Sequence, residues 1–418
     1  MAALTITLSL EHFKITDTQE TDRSIAIYGE TLELGVHCNV CGKFTKQFHG
    51  YDDERSVRHL PILEKSVYVF YRPKRYICKH CNPEGSTTTA TPAWHQSKSG
   101  FTKSYELRLI LDLVGSTVSD VALKNNITEK QMQGILDRNI ADEVDWSTFK
   151  NLGVIGLDDL SLKKGYKDFM TAITSQVNGK IRLLGLIKGR KKKDIKRFFK
   201  SIPIKLRKTV TAVCVDLYTG YINAAKEVFK QWVAIIIDRY HVAKLYRASV
   251  DKFRQQILKE LKQTLSKKEY EKIKQVTHIL RRGNECLSKE DKIKLEIVFS
   301  HSYALSEAYR LALQLTHIFN THQKPEEALD KFAQWIFDVR KTKLTCFNTF
   351  ISTLRKFKHE ITHYFIERQT SGFVEGLNNK IKVLKRRCYG IYNLKHLFQR
   401  LHLDISGYRL YTTNKGVL

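Results

Sequence analysis

Two Cys-x-x-Cys pairs are the feature that most constrains how this chain can fold. Cys38 and Cys41 form one pair, and Cys78 and Cys81 form the other. Each pair follows a stretch of strand-forming residues, so two tight turns can bring four thiolates together. Zinc is held tetrahedrally by four such sulfurs, each about 2.3 Å from the ion. The spacing therefore predicts a structural zinc ribbon, and four cysteine ligands leave no open position for a catalytic zinc.

The remaining cysteines and the net charge indicate the class of protein. The other cysteines are single and far apart, unlike the dense spacing of a secreted disulfide framework. Lys and Arg number 71 against 43 Asp and Glu, so the formal net charge is +28. A chain with this excess attracts polyanions. No apolar run approaches the ~20 residues of a membrane span, and residues 1–14 do not resemble a secretion signal. We therefore expect a cytoplasmic protein without membrane contact.

Residues 96–150 have the periodicity expected of a small helical region. Apolar residues recur at helical spacing after Lys103, and a second helix over 118–124 is followed by a short turn. Thr128 and Gln131 form a Thr-x-x-Gln capping box, which marks the start of a further helix. Two helices around a tight turn on a basic chain suggest a DNA-binding helix-turn-helix. Two helices that only form a core would give the same pattern.

From residue 152 the pattern predicts a mixed sheet. The strand candidates, in chain order, are 154–157, 169–174, 181–187, 210–215 and 233–237. An Asn-Gly pair marks the second hairpin, and helical segments separate the last three strands. Three strands joined by hairpins and then a β-α-β unit give the order of a ribonuclease-H-like sheet. Residues 242–369 have helical periodicity throughout and predict an inserted helical domain.

Three of these strands end in an aspartate, namely Asp158, Asp216 and Asp238. In a ribonuclease-H-like sheet the first and fourth strands are neighbours, so Asp158 and Asp216 can share divalent metals at one edge. Magnesium prefers oxygen ligands, and two metals can clamp both oxygens of an in-line phosphoryl displacement. Strand alternation places Asp159 on the other side of its strand. Aspartate is also favoured in turns at strand ends, and that explanation fits equally well.

A segment near the C-terminus, residues 371–387, favours the metal site. Arranged as a helix, it brings Asn379, Lys382 and Arg386 within about 40° of Glu375, while the apolar residues gather on the opposite side. A third acid supported by phosphate-binding cations is what a metal-dependent strand-transfer site needs. An ordinary solvated polar face is the alternative.

Several short segments occur in an order that is more specific than any one of them. They are the two cysteine pairs with His59-Leu-Pro-Ile62 and Arg75-Tyr-Ile-Cys78, Gly156-Leu-Asp-Asp159, Lys163-Lys-Gly-Tyr166, Asp238-Arg-Tyr-His241, Ser371–Lys380 and Arg387-Cys-Tyr-Gly390. In this order they resemble the DDE transposases of the bacterial insertion-sequence family ISL-three. The resemblance runs from about residue 30 to the C-terminus.

This resemblance implies a multidomain α+β protein. Its parts would be an N-terminal β-rich zinc ribbon (1–95), a helix-turn-helix region (96–150), a ribonuclease-H-like α/β catalytic core (151–241), an all-α insertion (242–369) and the last part of the core (370–418). It also implies a cytoplasmic, nucleoid-associated enzyme that acts on double-stranded DNA. Because two element ends need two active sites, we expect a homodimer or a higher oligomer on DNA.

The family's catalytic acids carry over residue by residue. Asp158 and Glu375 match the first and last acids, and Asp216 fits the second acid by its position in the sheet. Asp238 and His241 match an element that follows the second acid in related transposases. The resemblance therefore assigns Mg²⁺ or Mn²⁺ to Asp158, Asp216 and Glu375, and supporting roles to Asp238 and His241. Asp238 remains the alternative second ligand.

The implied reaction is metal-assisted hydrolysis at the terminal inverted repeats, followed by attack of the freed 3′-hydroxyl on target DNA. Candidate DNA contacts are Thr128, Lys130, Gln131 and Arg138 for base readout, and Lys191, Lys192 and Lys193 for phosphate binding. A DNA-binding regulator derived from a transposase and a ribonuclease-H-like nuclease without strand transfer remain open. A tyrosine recombinase is disfavoured, because no cluster of catalytic Arg and His is apparent around Tyr166, Tyr240 or Tyr389.

Overall fold

The computed structural model describes residues 7–81, 84–162 and 168–412. The chain divides into two compact units. The first comprises Met1–Asp142, Arg387–Tyr389 and Gln399–Leu418, and the second comprises Glu143–Arg386 and Gly390–Phe398.

The first unit begins with short strands. They are β1 (Phe13–Glu20), β2 (Ser24–Thr31), β3 (Val36–His37), β4 (Phe44–Thr45), β5 (Phe48–Tyr51), β6 (Arg55–Ile62), β7 (Lys65–Tyr71), β8 (Lys74–Cys78) and β9 (Ser86–Thr89). They form a four-stranded sheet in the order β1-β2-β7-β6, a β3-β4 pair and a three-stranded sheet in the order β5-β8-β9. Alternate residues of β7 are buried, and Val69 and Tyr71 form a small core with Trp94.

The sequence gives no prediction for β1, because this strand has no apolar alternation. Its burial pattern is exposed at every residue after Phe13, so backbone pairing with β2 holds it in place. Residues 32–36, in which leucines alternate with polar residues as in a strand, are not a strand over most of their length and pair only at their end, through β3. Leu32 and Leu34 are exposed, so their alternation with polar residues does not mark a buried face. The segment is instead a loop that leads to the first cysteine pair.

Three helices follow the strands of the first unit. They are α1 (Lys103–Leu113), α2 (Val118–Lys124) and α3 (Glu129–Asn139). The predicted capping box is present, since the Thr128 and Gln131 side chains each accept a hydrogen bond from the other residue's backbone N–H. Ile110 and Ile135 are buried in one cluster with Leu403 from the C-terminal helix, so these helices share a core.

The second unit is built on a five-stranded sheet. In chain order its elements are β10 (Gly153–Ser161), β11 (Phe169–Val177), β12 (Lys180–Lys188), α4 (Lys192–Ser201), α5 (Ile204–Arg207), β13 (Val210–Val215), α6 (Thr219–Phe229) and β14 (Ala234–Ile237). The strand order is β12-β11-β10-β13-β14, with β10, β13 and β14 parallel and the hairpin strands antiparallel. This is the order that the sequence predicts. The parallel strands are almost continuously apolar, as expected for strands covered on both faces.

Helices occupy most of the chain between the sheet and the C-terminal region. They are α7 (Arg239–Thr264), α8 (Lys267–Lys272), α9 (Val276–Ile279), α10 (Lys289–His301), α11 (Tyr303–Asn320), α12 (Pro325–Thr342), α13 (Asn348–Lys356), α14 (Lys358–Thr362) and α15 (Tyr364–Glu367). Buried residues from α11 to α15 belong to the same core as the sheet. A second core forms around Leu261, Leu295 and Leu305.

Two further helices end the described part of the chain, α16 (Gly372–Arg387) and α17 (Leu394–Thr412). The helix predicted from 371–387 is confirmed: Leu377, Ile381 and Leu384 are buried, and the face that carries Glu375 is exposed. From Gln399 onward, α17 belongs to the first unit. Among the helices that the structure describes, none combines the length and apolarity needed to cross a bilayer.

Candidate active site and zinc centre

The four cysteines of the two Cys-x-x-Cys pairs converge as predicted, with all four sulfurs within 4.8 Å of one another. Cys38 Sγ lies 3.8 Å from Cys81 Sγ, and Cys41 Sγ lies 3.7 Å from Cys78 Sγ. A zinc ion about 2.3 Å from each of four tetrahedral sulfurs requires sulfur separations of about 3.8 Å. The donor set therefore fits structural zinc.

The backbone around the first pair favours thiolate. The N–H groups of Cys41 and Val40 point at the first sulfur and lower the pKa of Cys38 to about 6. Because a thiolate is the form of cysteine that binds zinc, these N–H groups support metal ligation.

Three aspartates lie at the same level of the parallel strands of the second unit. Asp158 lies inside β10, which continues past the predicted end at residue 157, whereas Asp216 and Asp238 directly follow β13 and β14. Gly156 pairs with Cys214, so Asp158 and Asp216 lie two residues further along their neighbouring strands. The pairing of β13 with β14 places Asp238 at the same level again. Residues at one level of a parallel pair share a face of the sheet, which is why the carboxylates of Asp158 and Asp216 meet.

The acidic cluster consists of Asp158, Asp159 and Asp216, which each contribute an oxygen to a group within 4.8 Å. Strand alternation predicts that Asp159 stands beside the metal ligands rather than among them, but its oxygen belongs to the group itself. The pairing of β10 with β13 ends at Gly156 and Cys214, so β10 continues past its neighbour. A side chain on either face can then turn around the open edge.

Burial and mutual repulsion shape the electrostatics of this cluster. Burial raises the pKa of Asp158. Burial, together with the charges of Asp159 and Asp158, raises the pKa of Asp216 to about 6. The charge of His241 lowers the pKa of both Asp158 and Asp216, so this residue lies close enough to act on them electrostatically. Several carboxylates in a half-buried site are costly without a cation, and their oxygens are the ligands that Mg²⁺ or Mn²⁺ prefers.

Asp238 is outside the acidic cluster, although it lies at the same level of the sheet. Its side chain is 3% exposed and accepts hydrogen bonds from the backbone N–H of Tyr240 at 2.5 Å and that of Ser371 at 2.6 Å. The Ser371 hydroxyl donates to it as well. Asp238 thus caps α7 and fixes the start of α16, and its carboxylate is already occupied by protein donors.

Helix α16 contacts the acidic cluster through a residue that the sequence does not single out. Asn378 donates from Nδ2 to Asp158 Oδ2 at 2.6 Å. Glu375 lies one turn earlier, is exposed and does not belong to the group of oxygens within 4.8 Å. The predicted companions Asn379, Lys382 and Arg386 are exposed on the same face.

Arg190 is a second residue at the cluster that the sequence does not reveal. Its guanidinium lies 3.6 Å from Asp159 and packs over the rings of Phe169 and Tyr218, with centroids at 4.5 and 4.8 Å. The N–H of Tyr218 donates to Asp216 at 2.8 Å. These contacts join segments distant in sequence, so only the two aromatic residues near strand ends could have hinted at them.

The predicted DNA contacts in α3 are partly engaged inside the protein. Thr128 and Gln131 satisfy each other in the capping box. Arg138 donates to Glu106 at 2.5 Å, and this carboxylate is fully buried. Lys130 is exposed. Base readout by Arg138 would therefore have to compete with a buried ion pair.

Of the three predicted phosphate-binding lysines at the start of α4, one forms an ion pair within the protein and the other two are exposed. Lys192 pairs with Glu227, which also binds Lys196 at 2.6 Å. Lys191 and Lys193 are exposed. The segment Lys163–Tyr166, which contributes to the family resemblance, lies outside the described residues.

Two family profiles match the chain. The profile of the zinc-finger of transposases IS204, IS1001, IS1096 and IS1165 matches residues 35–81. The profile of the ISL3-type DDE transposases matches residues 155–401. The chain belongs to this transposase family. The ISL3 match spans the acidic cluster and Glu375, and the zinc-finger match spans all four cysteines.

Curated relatives agree with this assignment. The chain is 25% identical over 393 residues to the transposase for insertion sequence element IS1001 of Bordetella parapertussis, covering 93% of both chains. It is 20% identical over 389 residues to the transposase for insertion sequence element IS1557 of Mycobacterium tuberculosis, covering 88% of this chain and 86% of the relative. Membership of the ISL3 family implies DNA binding and accounts for the strongly basic composition.

Proposed function

We propose that this ISL3-family protein is an active transposase that binds the terminal inverted repeats of an insertion sequence, cleaves DNA there and transfers the 3′-hydroxyl ends to target DNA. The observation that carries the proposal is the meeting of Asp158 and Asp216 at the open edge of the sheet, with oxygens within 4.8 Å. A regulator that only binds DNA has no use for this costly cluster of half-buried acids.

In this proposal Asp158 and Asp216 hold Mg²⁺ or Mn²⁺, and Glu375 completes the site from α16. The cations supply Lewis-acid activation of the attacking oxygen and stabilise the leaving oxygen. The chain orients the acids through the Asp159 and Tyr218 N–H groups, which donate to Asp158 and Asp216 at 2.9 and 2.8 Å.

Positive residues around the cluster would bind the DNA backbone. Lys382 and Arg386 lie on the exposed face of α16 that carries Glu375, where they can contact phosphates on either side of the scissile bond. Arg190 is held in place by two aromatic rings, so little side-chain entropy is lost when its guanidinium meets a phosphate.

The proposal includes the domain organisation of the chain. The strand order of the second unit supports a ribonuclease-H-like core in two parts, 151–241 and 370–418, with residues 242–369 as a helical insertion. Residues 1–95 would form a zinc-stabilised ribbon, and 96–150 a helix-turn-helix for the inverted repeats. Synapsis of two ends requires two such chains on DNA.

The test is a cleavage assay on labelled DNA that carries the element's terminal repeats, with Mg²⁺ and purified full-length protein. Wild type is compared with Asp158→Ala, Asp216→Ala and Glu375→Ala, and with Glu326→Gln, an exposed acid on α12, as the matched control. We expect nicking at the repeat ends by wild type and control only, with DNA binding retained by all. Specific binding without metal-dependent cleavage by wild type would contradict the proposal and favour a regulator. Cleavage without joining to target DNA would favour a nuclease.

A further inference from the structure

Three polar side chains spaced seven residues apart fasten α16 and the residue before it to the sheet. They are Ser371, Asn378 and Lys385, and seven residues are nearly two helical turns, so all three lie on one side. Ser371 donates to Asp238, and Lys385 donates to two backbone carbonyls at the end of β10. The outer two contacts are structural, whereas the middle one reaches the acidic cluster.

Asn378 makes the middle contact and is only 3% exposed. Its Nδ2 donates to Asp158, but its Oδ1 is buried and accepts no hydrogen bond from the residues that the structure describes. A buried carbonyl oxygen without a donor costs about 1–3 kcal/mol. The side chain is thus half satisfied, and the unsatisfied atom lies on a residue that contacts a proposed metal ligand.

The two oxygens of Asp158 each have a protein donor. Oδ1 accepts from the Asp159 N–H at 2.9 Å, and Oδ2 accepts from Asn378 at 2.6 Å. Two fixed donors define the plane of a carboxylate, and each oxygen keeps a lone pair for a cation. Asn378 therefore helps to set the direction in which Asp158 can bind a metal.

We propose that Asn378 is a positioning residue that couples cation binding to the docking of α16. Nδ2 orients Asp158, and Oδ1 accepts a hydrogen bond from the hydration shell of the bound cation, of which Mg²⁺ keeps several waters. Because α16 also carries Glu375, the docked helix holds the proposed third acid one turn from the residue that contacts Asp158. The coupling is reciprocal, so the cation stabilises the docked helix as much as docking strengthens cation binding. The inference rests on the proposed function of this site.

The test uses full-length protein without DNA, so that catalysis plays no part. Mn²⁺ affinity is measured by calorimetry, and backbone hydrogen exchange is followed over residues 372–386 with and without Mn²⁺. Two variants remove the carboxamide: Asn378→Ala, and Asn378→Leu, which has a similar volume and leaves no cavity. Asn348→Ala is the matched comparison, because this asparagine is exposed on α13 and belongs to neither the acidic cluster nor α16.

We expect Mn²⁺ to slow exchange in α16 of wild type and of Asn348→Ala. Both Asn378 variants should bind Mn²⁺ about 10- to 100-fold more weakly, the usual effect of losing a group that orients a metal ligand. Mn²⁺ should no longer slow exchange in their α16. Thermal unfolding followed by circular dichroism identifies a variant that does not fold, in which case the other variant decides.

Wild-type affinity and wild-type exchange protection in Asn378→Leu would overturn the inference alone. An equal loss in Asn348→Ala would also overturn it, because the contact with Asp158 would then not be the cause. No Mn²⁺ binding by wild type would instead remove the proposed metal site itself, which separates the two failures.

Discussion

The zinc centre and the acidic cluster each use only a few ligand side chains, but these side chains come from differently arranged segments of the chain. The zinc ligands come from two tight turns in one small region, and their sulfurs already lie at tetrahedral spacings of 3.7 and 3.8 Å. The acids of the cluster come from β10 and the end of β13, and Glu375, the proposed third ligand, is exposed on α16. A site that only stabilises the fold can be closed by local sequence. The acidic cluster, which in the proposed function must admit DNA, instead combines segments that are far apart in the chain.

The largest expected effect concerns the zinc centre. Cys78→Ser should abolish zinc binding and unfold the ribbon, because structural zinc supplies apparent free energies of about 10–16 kcal/mol in small domains. Zinc content and hydrogen exchange over residues 36–90 measure this. Cys286→Ser, at an exposed single cysteine, should change neither. A folded ribbon in zinc-free Cys78→Ser protein would show that the ribbon does not need the metal.

The next effect distinguishes the roles of Asp216 and Asp238, which lie at the same level of the sheet. Asp216→Asn should lower the cleavage rate on the order of 10³-fold, since metal stabilisation of the transition state is worth several kcal/mol. Its fold should be intact. Asp238→Asn should mainly destabilise the protein, by about 1–3 kcal/mol, because Asp238 accepts several buried hydrogen bonds. Cleavage kinetics and thermal unfolding of both variants decide, and the opposite pattern would make Asp238 the second metal ligand.

A smaller effect concerns the free energy of unfolding when no Mg²⁺ or Mn²⁺ is bound at the acidic cluster. The raised pKa of Asp216, about 6 against 3.8, means that the folded state binds more protons than the unfolded state in this range. Wild-type stability should therefore fall as the pH rises from about 4 to 6, and Asp216→Asn should be more stable at pH 7.5 by on the order of 1–3 kcal/mol. Chemical unfolding without added Mg²⁺ or Mn²⁺, and without a chelator that would remove the structural zinc, measures this. Saturating Mn²⁺ should stabilise wild type only, and a less stable Asp216→Asn protein would contradict the account.

The smallest expected effect concerns DNA binding by two neighbouring lysines at the start of α4. Lys193 is exposed, whereas Lys192 is already paired with Glu227. Lys193→Ala should reduce the slope of log affinity against log salt by about 1, and Lys192→Ala by less. DNA-binding titrations at several salt concentrations measure both. Equal slopes for the two variants would show that Glu227 releases Lys192 on DNA.

The sequence predicts elements whose signal is local. The apolar runs of β13 and β14, the Asn-Gly hairpin and the capping box at Thr128 lie within a few residues of one another, so pattern alone finds them. It does not find β1, whose residues are mostly exposed and which depends on its pairing partner.

At the candidate active site the limit is geometric. Strand order follows from the hairpins and the β-α-β unit in the sequence and makes the strands of Asp158 and Asp216 neighbours, whereas the register that sets the two aspartates at one level is seen only in the structure. The turn of Asp159 around the open edge depends on where β13 ends. Asn378 is missed from the sequence because the prediction considers the side of α16 that carries Glu375. The docked helix instead contacts Asp158 through the neighbouring side, which carries Asn378.

The most direct test of the central claim is a crystal structure with Mn²⁺ and DNA carrying a terminal repeat, in which anomalous scattering locates the ions. The account predicts Mn²⁺ bound by oxygens of Asp158 and Asp216, with Glu375 brought in as a further ligand. Ions bound at Asp238 instead, or ordered DNA at the site with no ion near Asp158 and Asp216, would contradict it.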